Sequence, residues 1–567
     1  MKYPMAQKNN NLPGRLVILI MLFIFPACTA SSKLPDDAVS LPPDISPGES
    51  PARFVEKSFL MEQIQQLASD AMMGRGTGQK GSRLALDYLE QYYTSDSFSD
   101  YESLPVIRQS FELEGVFWDA VSYDIYSVDV DTVYLSRSQL EKGGSADFFP
   151  LQGGTRDHDA PVVFAGDGFF DMADQDVRTL RNSLQNTWVM VFEPGTDGNG
   201  SRFEKVQRMI IEFGATGVMF IPNKDVESWE KKSMKMSHQL ERPTLVRRPG
   251  GRTGLSGGSQ GASVSVHPDM ALRILDLDNP AQLDSLRHKW QSNSSAMMPH
   301  STGFRFRNTP SLNTRSFEED NLITIIPGSH PELSREMVVL SAHYDHMGLG
   351  EPDDSNDIVY SGADDNASGT AVLMQIARAF HDSAGYGYHP SRTLVFLHAA
   401  AEEWGLHGSR YFVENPLFPD YEIVVNVNVD MLGSVDNIYS GRQDSSYVHV
   451  IGAGLVSTTL DELVQMANDA TANMILDEVY NDTGHYLQLY RRSDHWPFAL
   501  KNIPFVFFFS GLHEYYHRPS DTPEKIAASL LAARTELITE LVWYLAEVKE
   551  RPESDRRHFG RNRVPAR

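Results

Sequence analysis

From Asn321 onward, five apolar runs (NLITII, MVVLSA, TLVFLH, EIVVNVNV and NIPFVFFF) alternate with helical patterns and turn residues. A strand with one wet face alternates apolar and polar residues, whereas a strand covered on both faces reads as a continuous apolar run. Only a sheet with helices packed on both sides covers strands in that way. The chain is therefore expected to be α/β, with a mostly parallel central sheet flanked by helices. The helix after Gly369 is legible, because Leu373, Ile376, Ala377 and Phe380 fall at i, i+3, i+4 and i+7. A further helix is predicted to open at Thr522-Pro523, a cap residue followed by proline at the first helical position, and to run to about Val548.

The rest of the chain has a different texture. Its 567 residues suggest several structural units, and a composition of 41% hydrophobic and 22% charged residues is that of a globular protein. Between Phe54 and Tyr93 a helical pattern surrounds the glycine-rich break MMGRGTGQKG, which predicts two helices joined by a loop. A strand follows at Val106–Leu113. From 118 to 305, short apolar strands (Pro161–Ala165, Trp188–Phe192, Gly217–Ile221) are separated by turn-rich segments with little sustained helix, which predicts an inserted, mainly β domain. Pro249–Gly261 reads as a surface loop. The catalytic unit is thus expected to be split into 55–117 and 306–548. The last 19 residues, 549–567, carry seven Lys or Arg against three acids and are expected to be a solvated, frayed basic tail.

At the N-terminus, residues 2–15 hold Lys2, Lys8 and Arg15 with no acid, and 16–25 (LVILIMLFIF) are unbroken apolar residues. This is the pattern of a signal peptide, 1–27, followed by a Ser/Pro/Asp-rich flexible tether, 28–54. It resembles a bacterial lipoprotein signal, cleaved before Cys28 with lipid on its sulfur. The resemblance implies an exported protein anchored to a bacterial membrane through lipidated Cys28, facing the periplasm or the cell surface. Cys28 is the one cysteine, so an intramolecular disulfide framework is excluded and any metal site must use His, Asp and Glu. A formal charge of −25 repels phosphate backbones, and no nucleic-acid partner is expected.

The chemistry-bearing residues follow the strands. His343 and Asp345 come directly after MVVLSA, Glu402 and Glu403 shortly after TLVFLH, Asp430 ends EIVVNVNV, and His513 and His517 follow NIPFVFFF. Asp365 lies just before the Gly369 helix. In an open α/β sheet, ligands bind beyond the carboxyl ends of the strands, so these groups are expected to converge. Two histidines with several carboxylates and no thiolate suit a pair of divalent cations, most naturally zinc, each taking one His, one terminal carboxylate and one oxygen of a shared carboxylate. A water held between two such ions attacks a carbonyl and needs a base. Of the adjacent Glu402 and Glu403, one can bind metal while the other faces the water.

HYDH at 343–346, GADDNASG at 362–369, AEEWGLHGS at 401–409, NVDMLG at 428–433, SDHWPF at 493–498 and YHRPSDTPEKI at 516–526 resemble the co-catalytic zinc aminopeptidases of bacteria, relatives of glutamate carboxypeptidase and the transferrin receptor. LASDAMMGRGTGQKG at 67–81 is similar to the family's leading segment. APVVFAGDGF at 160–169 and FGATGVMFIP at 213–222 resemble a protease-associated domain. The resemblance implies two Zn2+ per chain, with His343, Asp365, Glu403, Asp430 and His517 as ligands and Asp365 bridging. It makes Glu402 the general base, Asp345 the acid that orients His343 through its other ring nitrogen, and Tyr516 a donor to the tetrahedral oxyanion. His346, His398, His407, His485, His495 and His513 match no ligand, and Ser493 and Asp494 are expected to shape the rim. The implied activity is removal of N-terminal residues from peptides. A glutaminyl cyclase-like acyltransferase, a carboxypeptidase and a catalytically inactive receptor-like scaffold are the alternatives on the same fold.

Overall fold

The computed structural model describes residues 50–95, 104–128, 132–141, 144–152, 157–168, 177–194, 202–223, 225–238, 243–249, 262–292, 298–350, 357–442 and 446–560. The apolar run 16–25, Cys28, most of the tether and residues 250–261 of the expected surface loop lie outside the described residues. Among the described residues no helix is long and apolar enough to cross a membrane. The end of the expected tether is structured: Pro51–Phe54 forms a 3-10 turn, Ser50 Oγ donates to the Glu540 carboxylate, and Arg53 lies over the rings of Phe54 and Tyr386.

Two helices follow as expected, α1 (Lys57–Leu67) and α2 (Lys80–Tyr93), with a 3-10 segment between them. Each buries a stripe at helical spacing, Leu60, Ile64 and Leu67 on α1 and Ala85, Leu86 and Leu89 on α2. The expected strand at Val106–Leu113 is the first part of a much longer β1 (Val106–Val128).

The insertion continues with β2 (Thr132–Glu141), β3 (Phe148–Gln152), β4 (His158–Phe164), α3 (Val177–Leu184), β5 (Trp188–Phe192), α4 (Arg202–Gln207), β6 (Gly217–Ile221), α5 (Val226–His238), β7 (Pro243–Arg247), β8 (Ala262–Val266), α6 (Pro268–Ile274) and α7 (Pro280–Ser292). It returns through β9 (His300–Ile326), which pairs antiparallel with β1 from Val106↔Thr324 to Tyr126↔Arg305. The boundaries expected at 118 and 305 therefore fall inside two continuous strands. Within the insertion β4, β5, β6 and β8 run parallel around a separate apolar core that includes Phe164, Trp188, Val191, Phe220 and Trp290. The helices make this region mixed α/β instead of mainly β. They are hard to read from sequence because their buried stripes are thin: α7 buries only Leu283 and Trp290.

The C-terminal half adds β10 (Glu336–His343), α8 (Gly369–Ala384), β11 (Thr393–Ala399), α9 (His407–Glu414), β12 (Glu422–Val429), β13 (Tyr447–Ile451), α10 (Ala453–Val456), α11 (Thr458–Ala470), β14 (Ile475–Asp477), α12 (Trp496–Ala499), β15 (Phe505–Phe509) and α13 (Ala528–Glu547). The five apolar runs are all strands. β11, β10, β12 and β15 are adjacent and parallel, flanked by antiparallel β9 on one side and antiparallel β13 on the other. Thr522-Pro523 opens only a 3-10 turn, and α13 begins at Ala528, because Ile526 is extended and its amide closes back on Pro523. Residues 549–560 of the expected frayed tail are docked: Arg556 donates to the Gly454 carbonyl and Asp461, and Phe559 stacks on Tyr490.

Near the sheet edge, His449 on β13 is fully buried between two carboxylates, with Nε2 2.8 Å from Asp436 Oδ2 and Nδ1 3.8 Å from Asp477 Oδ1. Burial disfavours its charged form, but the hydrogen bond to Asp436 and the neighbouring Asp477 carboxylate outweigh burial and raise its pKa. The nearby His449 imidazole holds Asp477 below the ordinary carboxylate value against its own burial. The histidine contribution is complete below its unfolded value, roughly 6.5, and is lost as pH rises through the higher folded value. The Asp477 contribution is present above roughly 3.9 and is lost on acidification. His449→Gln is thus expected to destabilise by about 3–5 kcal/mol at pH 5–6, with the gap to wild type narrowing toward pH 9. Denaturant melts across pH check this, and a gap that widens with pH refutes the pairing.

Candidate metal centre

Because β11, β10, β12 and β15 point the same way, their C-terminal ends open on one crevice. His343 ends β10, Asp430 directly follows β12, Glu402 and Glu403 lie in the turn after β11, and His517 lies in the loop after β15. The backbone is unusual at these places: Ala401, Met431 and His517 are non-glycine residues with φ of 55°, 51° and 55°, conformations that persist only where surrounding contacts hold them. The 362–366 turn is pinned from below, since the Asp521 carboxylate accepts the amides of Asp364 and Asp365, and Asp364 Oδ1 accepts that of Gly433.

Asp365 stands at the centre and uses a different oxygen on each side. Oδ1 is 3.4 Å from His343 Nε2, which is 3.3 Å from Asp430 Oδ1. Oδ2 is 3.0 Å from His517 Nε2, which is 3.0 Å from Glu403 Oε2. Glu402 Oε2 is 3.9 Å from His343 Nε2. Thus the five residues expected as ligands, with Glu402, are brought together. His343, Asp365 and Asp430 have ligand atoms close enough to share one ion, as do His346, Asp365 and Glu403. Burial opposes ionisation of Asp365, but the imidazoles of His346, His343 and His517 outweigh it and hold the carboxyl well below its ordinary value. Burial, assisted by Glu403, Asp430 and Asp494, pushes the Glu402 carboxyl well above its own against the pull of His343. Among the described residues no Lys or Arg pairs with the side chains of Asp365, Glu402, Glu403 or Asp430. A buried set of carboxylates and imidazoles with no Lys or Arg in contact fits divalent metal ions.

The residues around this cluster depart from expectation in four places. Asp345 meets the other ring nitrogen of His343 through its backbone carbonyl, 3.1 Å from Nδ1. Its carboxylate is 3.8 Å away because its oxygens are taken by the Glu402 amide at 3.0 Å and the Thr77 hydroxyl at 2.9 Å. Ser493 and Asp494 are buried, not at a rim: Ser493 Oγ donates to Asp430 Oδ2 at 2.7 Å, and burial pushes the Asp494 carboxyl up to about 7. His346 joins the cluster, with Nδ1 2.8 Å from Glu403 Oε1. The spacing of three from His343 within one loop was the available signal. Arg75, fully buried, donates to the carbonyls of Leu67, Tyr344, Ser361 and Gly362, and so ties the HYDH and GADDN loops to the leading segment. The arginine inside MGRGTG was its only trace in sequence. The ring of Tyr516 stacks on His517 with centroids 3.9 Å apart. The other histidines are held elsewhere: His398 by the Tyr93 hydroxyl, His407 by the Val246 carbonyl, His495 by the Tyr490 carbonyl and His513 by Asp364, while His485 packs against Tyr480 and Tyr486.

Residues 321–542 match the family model described as Peptidase family M28. Aminopeptidase YwaD of Bacillus subtilis (strain 168) is 25% identical over 240 residues, covering 40% of this chain and 44% of its own length. A probable aminopeptidase of Saccharomyces cerevisiae is 23% identical over 246 residues, 40% of this chain and 58% of its own. The chain thus spans about half the length of the curated relatives it matches. Among solved structures, the aminopeptidase from Aneurinibacillus sp. strain AM-1 superposes with a TM-score of 0.49 and 18% identity over 91% of this chain and 100% of that one. The matched segment, 321–542, holds every member of the cluster and is similar to peptidase family M28.

Proposed function

We propose that the protein is a zinc-dependent exopeptidase that removes N-terminal residues from peptides, with two Zn2+ per chain. The observation that carries this reading is Asp365, whose two oxygens face two separate His–carboxylate groups. The peptidase family and the curated relatives named aminopeptidases support it. In this reading His343 and Asp430 would hold one ion and His517 and Glu403 the other, with Asp365 shared between them. Two divalent cations so placed polarise the scissile carbonyl and supply a nucleophilic water at neutral pH. The chain's own task is then proton transfer and orientation. Glu402 takes the proton of the attacking water and passes it to the leaving amine. Asp345 steadies both partners, binding the Glu402 amide with its carboxylate and His343 Nδ1 with its carbonyl. Tyr516, stacked on His517, is assigned to the oxyanion. The retention of Glu402 and both ligand groups argues against an inactive scaffold. The insertion is read as a protease-associated domain, and the pattern of residues 2–28 supports export and lipid anchoring at Cys28.

Metal analysis of the purified chain is expected to give two zinc ions, and chelators are expected to abolish hydrolysis of aminoacyl anilides while N-blocked peptides are poor substrates throughout. One zinc with full activity, or a preference for blocked peptides, contradicts this reading. Glu402→Gln is expected to keep metal and fold but lose turnover by about 10²–10⁴-fold, since an amide of the same size accepts no proton. Glu403→Gln is expected to weaken metal binding itself. Metal loss in the first variant and a purely kinetic defect in the second reverse the two roles.

A further inference from the structure

The proposed ligands leave unexplained why a second imidazole stands beside Glu403. His346 is fully buried, and its place is fixed from three directions. Its amide donates to the Arg75 carbonyl at 3.1 Å, and its ring lies 5.7 Å from that of His517. The third contact is with Gly362, whose Cβ, were there one, would stand 2.5 Å from the His346 Cδ2, so the ring occupies space that only glycine leaves open at this turn. The Nδ1 atom is 2.8 Å from Glu403 Oε1 but 3.7 Å from Asp365 Oδ2. Nε2 is buried without a hydrogen-bond partner, so the tautomer that satisfies the carboxylate places the proton on Nδ1. The two oxygens of Glu403 are thereby divided: Oε1 faces His346 and Oε2 faces His517.

We propose that His346 is a positioning residue for the second metal group, donating from Nδ1 to Glu403 Oε1 so that Glu403 presents a single oxygen, Oε2, beside Asp365 and His517. The proposal rests on the metal-dependent reading above. Outer hydrogen bonds of this kind orient a ligating carboxylate and set its basicity, and their loss typically costs about 10–100-fold in metal affinity. The effect is confined to one ion of the pair, because His343 and Asp430 make no contact with His346 among the described hydrogen bonds and ion pairs. The two sites consequently differ in affinity even though each has one imidazole and one terminal carboxylate.

The test is zinc titration of the whole chain against a chromophoric chelator, with Co2+ absorption of the singly loaded protein as a second readout. His346→Ala is expected to weaken one of the two sites by about 10–100-fold and leave the other within about threefold. His346→Asn places an amide donor near the position of Nδ1 and is expected to recover most of that loss, which a merely structural role would not produce. Wild-type affinity at both sites in both variants overturns the proposal. Equal losses in Ala and Asn, with a changed Co2+ spectrum in each, make His346 a direct ligand and overturn it also. If the wild-type chain binds no metal, the underlying reading fails instead, so the two failures are distinguishable. Should the Ala variant not fold, the Asn variant alone decides between retained and lost affinity at the second site.

Discussion

A single buried guanidinium joins the three loops on which the centre stands. Arg75 spends Nε on the Tyr344 carbonyl at 2.8 Å, Nη1 on Leu67 and Ser361 at 2.7 and 2.8 Å, and Nη2 on Gly362 at 2.8 Å. Its own carbonyl accepts the His346 amide. The Tyr344 carbonyl lies between His343 and Asp345, and Gly362 opens the turn that carries Asp365, so one planar fork sets the separation of the HYDH and GADDN loops. A lysine, with a point charge and three donors, could not satisfy the same carbonyls in their fixed directions. Burial lowers the Arg75 pKa to about 10 while Asp365, Asp521, Asp345 and Glu403 push it back, so the group stays charged at neutral pH. It balances part of the field of the acids without occupying any of their oxygens, which remain directed into the crevice.

That division between field and contact explains how so many acids remain packed together. A positive side chain placed directly against Asp365 or Glu403 would satisfy them and close the site. Instead, the nearest ionisable partners are imidazoles: His343 and His517 approach Asp365 from opposite sides at 3.4 and 3.0 Å, and His346 and His517 approach Glu403 at 2.8 and 3.0 Å. Histidine is the one side chain that can either share a proton with a carboxylate or give up that proton to bind a metal beside it. The same atoms are therefore tolerable in a buried chain and useful to a cation. Asp364 and Asp521, which make no approach to these imidazoles, do the mechanical work of holding the turn through its amides.

The parts of this arrangement that were legible in sequence are those encoded by short-range pattern. Continuous apolar runs mark the buried strands, and position just beyond a run gathers His343, Asp345, Glu402, Glu403, Asp430, His513 and His517, while Asp365 is placed by the helix it precedes and the choice of ligands among them rests on the family resemblance. What escaped the reading is long-range or backbone-mediated. The carboxylate of Asp345 is diverted by Thr77, which is 268 positions earlier in the chain, and no local pattern reports that hydroxyl. Arg75 acts on carbonyls, which every residue has, so its partners carry no sequence signature. The helices of the insertion are hard to read because their buried stripes are thin, with only Leu283 and Trp290 buried on α7, and the late start of α13 depends on an extended Ile526 that no propensity dictates.

The strands that carry the insertion also bear on the site. β9 pairs with β4 of the insertion through Ala160↔Phe306 and with β11 of the catalytic sheet through Leu397↔Ile323, and β1 accompanies it along nearly the whole path. A hinge at 118 or 305 would need to break this ladder in mid-strand, where backbone bonds on both sides are already made. The connection is reinforced away from the ladder: the Val246 carbonyl meets His407 at 3.0 Å, and Arg248 pairs with Glu414 across to α9. Since α9 opens five residues after Glu402, and β11 ends three residues before it, the turn that holds Glu402 and Glu403 is clamped between two elements that both touch the inserted region or its supporting strands. The insertion is therefore an extension of the scaffold that fixes Glu402 and Glu403, rather than a module tethered beside them.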